Sequence, residues 1–241
     1  VFWDSTGAIH RLLSSTDPDW SSGVATLVSG DGNIVYGRVT DVADGTNSTL
    51  TSALVRWSNI QASTPGQVII SIDDIAGVLG TTPRAIVAND TSYDGSVMVG
   101  SAEIDDVLTR AITWTLDVGG DTGTFRELTM PEGFTATYGS FASKTGDVAV
   151  GLGVAEGEAN IHVLKWGLEE GGATLDISRT STVAGSSHGA DSQDPIVDIA
   201  TGMSEDGSII VGVTAAGLSE LIAGQSSAFR WSASDGWQTI S

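Results

Sequence analysis

Residues 203–212 read Met203-Ser204-Glu205-Asp206-Gly207-Ser208-Ile209-Ile210-Val211-Gly212, and Ala228-Phe229-Arg230-Trp231 follows shortly after. Asp-Gly between two apolar arms is hairpin chemistry, because glycine adopts positive φ without a Cβ penalty. The flanking arms, Ile196-Val197-Asp198-Ile199-Ala200 and Ile209-Ile210-Val211, are rich in β-branched residues and free of proline. The pattern predicts a two-residue type I′ turn, and the apolar triplet predicts a strand covered on both faces. Trp231 ends a third strand, Ser234-Asp235-Gly236 turns the chain, and Trp237-Gln238-Thr239-Ile240 returns. Two such hairpins make one four-stranded propeller blade.

The unit recurs. Val28 to Gly37, Thr91 to Gly100 and Ala142 to Gly151 repeat S-x-[DT]-G-x-Φ-Φ-Φ-G, where Φ is apolar. The four turn pairs are Asp31-Gly32, Asp94-Gly95, Thr145-Gly146 and Asp206-Gly207. Apolar runs ending in Trp3, Trp57, Trp114, Trp166 and Trp231 alternate with them, at a shared period of about 55–60 residues. The expected architecture is all-β and β-propeller-like. It holds a half repeat at 1–20 and repeats at approximately 21–80, 81–131, 132–180 and 181–241, in a single repeat-built domain. The glycine closing each motif is expected where packed strands leave no room for a side chain. Helix is expected only as a turn or two near 73–79 and 215–221. Both ends of the chain supply the same half of a blade. We therefore expect an excerpt of a longer array, with an incomplete end blade that offers an edge for self-association.

Ten Lys and Arg stand against 30 Asp and Glu, a formal charge of −20. Such a chain repels nucleic acid phosphates and anionic membrane surfaces, which argues against both partners. With 40% hydrophobic residues it can build a core. It has no cysteine, which excludes disulfides, thiol catalysis and Cys-ligated zinc. No apolar run approaches the roughly 18 residues of a membrane helix, so this segment is not expected to insert.

His10 and His162 fall on predicted strands, where a structural role accounts for them. His188 lies in Gly185-Ser186-Ser187-His188-Gly189-Ala190-Asp191-Ser192-Gln193-Asp194, within the longest stretch between a Trp and the next turn. His188, Asp191 and Asp194 are the residue types of a metal site, and Ser–His pairing is conceivable, but a flexible polar loop explains the same residues more cheaply. Calcium is the one cofactor the acidity suggests, at Asp17/Asp19, Asp73/Asp74 or Asp105/Asp106, but none matches a calcium-loop pattern and a dispersed acidic surface suffices. A tryptophan repeated at equivalent positions argues for blade packing. Trp20, beside Asp17-Pro18-Asp19, is the better candidate for an exposed recognition aromatic. The basic residue before Trp (Arg56, Lys165, Arg230) is expected to pair with carboxylates. No nucleophile elbow, zincin helix or phosphate-binding loop occurs.

Ser204 to Gly212, Ala228-Phe229-Arg230-Trp231-Ser232 and Gly236 to Ile240 together resemble the HAF repeats of bacterial extracellular and autotransporter passenger proteins. The resemblance extends at repeat level through most of the chain. Thr145 replaces the turn Asp, Thr113 replaces the basic residue before Trp, and Ser227 stands where the family's histidine would be. It implies a propeller-like fold, an extracellular or cell-surface location, and repeated residues that are structural rather than catalytic. The Asp-box of sialidase-type propellers differs, since here Asp and Gly are adjacent and no aromatic follows within the hairpin. The expected function is a non-enzymatic module for adhesion, recognition or display, with a surface glycan or a protein as ligand. A polysaccharide-directed hydrolase with a loop-built site and a self-assembling surface protein are the alternatives.

Overall fold

The computed structural model describes residues 2–3, 9–10, 22–40, 52–58, 66–70, 72–117, 122–156, 160–178 and 196–240. A two-stranded hairpin, β1 (Phe2–Trp3) and β2 (Ile9–His10), precedes four antiparallel up-and-down units. The first blade is β3 (Ser22–Val28), β4 (Ile34–Thr40), β5 (Ser52–Ser58) and β6 (Gly66–Ile70). After α1 (Ile72–Leu79) comes the second, β7 (Ala85–Thr91), β8 (Val97–Glu103), β9 (Thr109–Leu116) and β10 (Gly123–Glu127). The third is β11 (Phe134–Ala142), β12 (Val148–Ala155), β13 (Ile161–Gly167) and β14 (Thr174–Asp176). The fourth is β15 (Val197–Met203), β16 (Ile209–Ala215), β17 (Ser227–Ser232) and β18 (Gly236–Ile240), with α2 (Leu218–Ile222) between its middle strands. Strands pair in chain order within each blade, and one parallel pair, Ile161 with Val197, joins the third blade to the fourth.

The S-x-[DT]-G turn differs from the expected type I′ hairpin. In the first copy Ser29 N–H donates to Ile34 O at 2.9 Å, and Gly32 N–H donates to Ser29 O at 2.9 Å. Gly32, at φ 74°, is therefore the last residue of the turn rather than one of its two central residues. The loop is four residues long because the Ser29 hydroxyl takes the Ile34 N–H, at 3.0 Å, in place of a backbone carbonyl. Gly95, Gly146 and Gly207 close the other three turns in the same way.

The glycine ending each motif has a second cause. Gly37, Gly100, Gly151 and Gly212 pair with Ala25, Ala88, Gly139 and Ala200, and the register slips immediately after each pair. The bulge swings the inner strand's carbonyl toward the glycine. A Cβ would strike Val24 O, Val87 O, Tyr138 O or Ile199 O respectively.

The side-chain period of two then sorts each blade into two faces. The middle Φ residue and the tryptophan face the preceding blade; the first and third Φ residues face the next. Met98, Ile112 and Trp114 accordingly pack on Ile34, Tyr36 and Leu54 of the first blade. Ala149, Leu164 and Trp166 meet Val99, Ala111 and Leu128 of the second, and Ile210, Phe229 and Trp231 meet Val150, Val163 and Ile177 of the third. The core is thus a series of inter-blade layers.

Gly151→Ala should lower stability by about 2–3 kcal/mol in urea unfolding, since the backbone around Tyr138 O must yield. Ala at Gly77, in α1 with nothing within 4 Å of its added Cβ, should be neutral or stabilising by up to about 1 kcal/mol.

Candidate functional site: the turn ring and the opposite loops

Each turn is a clamp built from a serine and a carboxylate. Ser29 Oγ donates to Asp31 Oδ1 at 2.6 Å, and the same oxygen accepts Asn33 N–H at 2.9 Å. Ser92 with Asp94 (2.7 Å) and Ser204 with Asp206 (2.6 Å) repeat the arrangement, with Ser96 and Ser208 N–H as the further donors. In the third blade the acid has moved. Thr145 occupies the aspartate position, and Asp147 accepts from Ser143 Oγ at 2.8 Å and from Thr145 Oγ1 at 2.5 Å. Asp147 was not singled out from sequence, although its place two residues beyond Thr145 was the available signal.

The clamps are joined to one another. Asp31 N–H donates to Tyr93 O at 3.0 Å, Tyr93 N–H to Lys144 O at 3.0 Å, and Lys144 N–H to Glu205 O at 2.7 Å. Apolar contact accompanies the ladder. An added Cβ on Gly95, Gly146 or Gly207 would lie 2.6–2.8 Å from Ile34, Val97 or Val148 of the preceding blade. Tyr36 Oη donates to Gly95 O at 2.8 Å, and Lys165 Nζ donates to Gly207 O at 2.9 Å. Lys144 crosses the top, 3.0 Å from Glu205 and 4.9 Å from the Tyr93 ring centroid. All four turns therefore share one end of the molecule.

Trp114 and Trp166 are about 1% exposed and Trp231 is also buried, each packed on the preceding blade, whereas Trp57, likewise about 1% exposed, packs on Val35, Val39, Ala53 and Val55 of its own blade. Trp166 Nε1 donates to Thr129 O of the second blade at 2.8 Å. Trp237 stacks on Phe229 at 3.9 Å. The basic residues before Trp behave differently from one another. Arg230 pairs with Asp235 at 3.0 Å as expected. Lys165 instead donates to the Gly207 carbonyl and lies 5.2 Å over the Trp231 ring, because its chain reaches the next blade's turn. Arg56 is buried beside Tyr36; burial pushes the Tyr36 phenol pKa up while the Arg56 cation opposes the rise.

His162 Nδ1 lies 2.9 Å from Asp176 Oδ2 with its ring edge-on to Phe134, a structural placement. Asp105 caps the Val107 and Leu108 amides, Asp106 pairs with Arg84, and Asp73 and Asp74 occupy the first turn of α1. Among the described residues no group of three or more His, Asp or Glu converges on a metal position. Trp20, His188, Asp191, Asp194, Asp17 and Asp19 lie outside the described residues, as do the side chains of Trp3 and His10. A cavity of about 140 Å³ between the second and third blades is lined by Arg126, Thr129 and Trp166. Arg126 donates to Leu168 O and Glu169 O there, so it works as a strut between blades.

In these antiparallel blades the connections between second and third strands, and from the fourth strand to the next blade, leave from the end opposite the turn ring. The strand ends that bracket residues 41–51 and 179–195 lie there.

Neither family models nor curated proteins give a match to this sequence. Among solved structures, the chain resembles one from a study of two prolyl endopeptidases, at 14% identity and TM-score 0.56, covering 98% of this chain and 31% of that one. It also resembles the β-propeller domain of the Trilobed protease from Pyrococcus furiosus, at 8% identity and TM-score 0.50, covering 92% and 58%. Prolyl oligopeptidase B from Galerina marginata gives 11% identity and TM-score 0.51, covering 91% and 29%. The fold is that of a β-propeller. This chain spans less than two thirds of each of these proteins, and at such identities the likeness concerns the fold alone.

The clamps make stability depend on pH. Asp206 is held at about 2 by the Ser204 hydroxyl and Ser208, against 3.8 in an open chain. The Ser29 hydroxyl lowers Asp31, and Thr145 with Ser143 lowers Asp147; Asp94 is also lowered, its hydrogen bonds to Ser96 and Ser92 outweighing burial. A depressed folded pKa means the unfolded chain binds more protons as pH falls, so this stability is complete above about pH 4 and is lost toward pH 2. Asp90 runs the other way. Burial raises its pKa against the Ala142 and Thr91 amides, so its contribution is lost as pH rises. Thermal melts should show a decline between pH 4 and 2, and Ser204→Ala should move the Asp206 titration, followed by NMR, up toward 3.8. Ser92→Ala should cost about 1–3 kcal/mol in urea unfolding, because it strips the buried Val97 N–H of its acceptor.

Proposed function

We propose that this chain is a non-enzymatic recognition module displayed outside the bacterial cell, as the HAF-repeat resemblance implies. One observation carries it. The repeated residues are consumed by the scaffold, with serines and aspartates in clamps, glycines against carbonyls and tryptophans buried in the packing. The longest connections between strands, residues 41–51 and 179–195, are bracketed by strand ends opposite the turn ring, on the end of the scaffold that the repeated turns do not occupy. That is the layout of a binding protein, since loops on a fixed scaffold carry specificity. The ligand class is a surface glycan or a surface protein, met by segments such as 41–51 and 179–195. The acidity fits this role, because it keeps a displayed protein from adsorbing to anionic surfaces.

Replacing residues 179–195 by a Gly-Ser linker of equal length should leave the melting temperature within about 2 °C and abolish binding to immobilised glycans or host-surface proteins. Release of reducing ends from a polysaccharide by the parent protein, lost on the same replacement, would establish the hydrolase instead.

A further inference from the structure

The face of each blade that looks toward the next blade is built from the same three positions. The third Φ residue is Tyr36, Val99, Val150 and then Val211; the first three are fully buried, whereas Val211 is 38% exposed. The return-strand residue is Ile70, Leu128, Ile177 and then Ile240; the first three are at most 4% exposed, whereas Ile240 is 52% exposed. The residue opposite it in the third strand is Leu54, Ala111, Val163 and then Ala228, buried in three blades and exposed in the fourth. The strand expected to be covered on both faces is therefore covered on one. The ladder ends at the same place. Asp31, Tyr93 and Lys144 each donate an amide to the following turn, and among the described residues no acceptor meets the Glu205 N–H.

We infer that this face of the fourth blade is a docking surface for the Trp-bearing face of a fifth blade of the same repeat, following β18 in the same polypeptide. The interface that would form continues one already present three times in this chain. The partner must bring a turn carbonyl for Glu205 N–H, a turn glycine to lie on Ile209, and a tryptophan with its neighbouring aliphatic residues to cover Val211, Ala228 and Ile240. The tryptophan-bearing faces of the four described blades are already covered, so none of these four supplies it. In each of the three joints present, the covering blade is the next one in sequence.

The test appends a copy of residues 179–241 after Ser241 and compares it with the 241-residue chain by thermal melting and sedimentation. In repeat arrays a new neighbour interface raises the stability of the blade it covers. The extended protein should melt at least about 5 °C higher in one transition. Val211→Asp with Ile240→Asp, made in the fourth blade only, should remove that gain while shifting the parent by less than about 2 °C. Equal melting temperatures for parent and extended protein, or a double variant that lowers both alike, would overturn the inference. A parent chain that dimerises with concentration, and is made monomeric by the double variant, would also overturn it and assign the face to a second copy.

Discussion

A serine hydroxyl inserted into the backbone ladder of each hairpin is the interaction on which the architecture depends. By accepting the amide of the first Φ residue, Ser29, Ser92, Ser143 and Ser204 open a tight hairpin into a four-residue loop. The opened loop has a peptide to spare, and that peptide faces the neighbouring blade. A two-residue turn would have used its backbone groups internally and left nothing to bridge blades. The carboxylate fixes the serine rotor, so the clamp holds one geometry and each turn can serve as the seat for its neighbour.

Packing follows from the same constraint. With the turns locked in line, neighbouring blades approach closely near the ring, where an added Cβ on Gly139 would lie 2.6 Å from Gly100 O of the preceding blade. The tryptophans of the second, third and fourth blades then fill the wider space farther out, where successive sheets diverge. Acidity also acquires a structural part. Three of the four clamps use the turn aspartate and the third uses Asp147, each ionised more readily than in an open chain.

The repeat, its period and its division into hairpins were legible because each motif pairs turn chemistry with β-branched arms. The closing glycines were legible as points of close approach. The turn type was not, because Asp-Gly suits both a two-residue and a four-residue loop, and the deciding atom is a hydroxyl three residues before the glycine. Asp147 was hidden because its carboxylate reaches the clamp from a different position in the motif. Lys165 was expected to meet an acid and meets a carbonyl, since the nearest acceptor belongs to another blade and is set by inter-blade geometry. Val211 looked as buried as Val99 because the triplets are alike; exposure depends on whether a neighbour is present.

The turns join blade to blade through backbone hydrogen bonds. Amide hydrogen exchange of the 241-residue protein, resolved by NMR, tests this most directly. The Asp31, Tyr93 and Lys144 amides should be protected by at least about 100-fold over an open chain although they sit in exposed turns, and the Glu205 amide should exchange rapidly. Equal, fast exchange at all four positions would show that the turns do not bridge the blades.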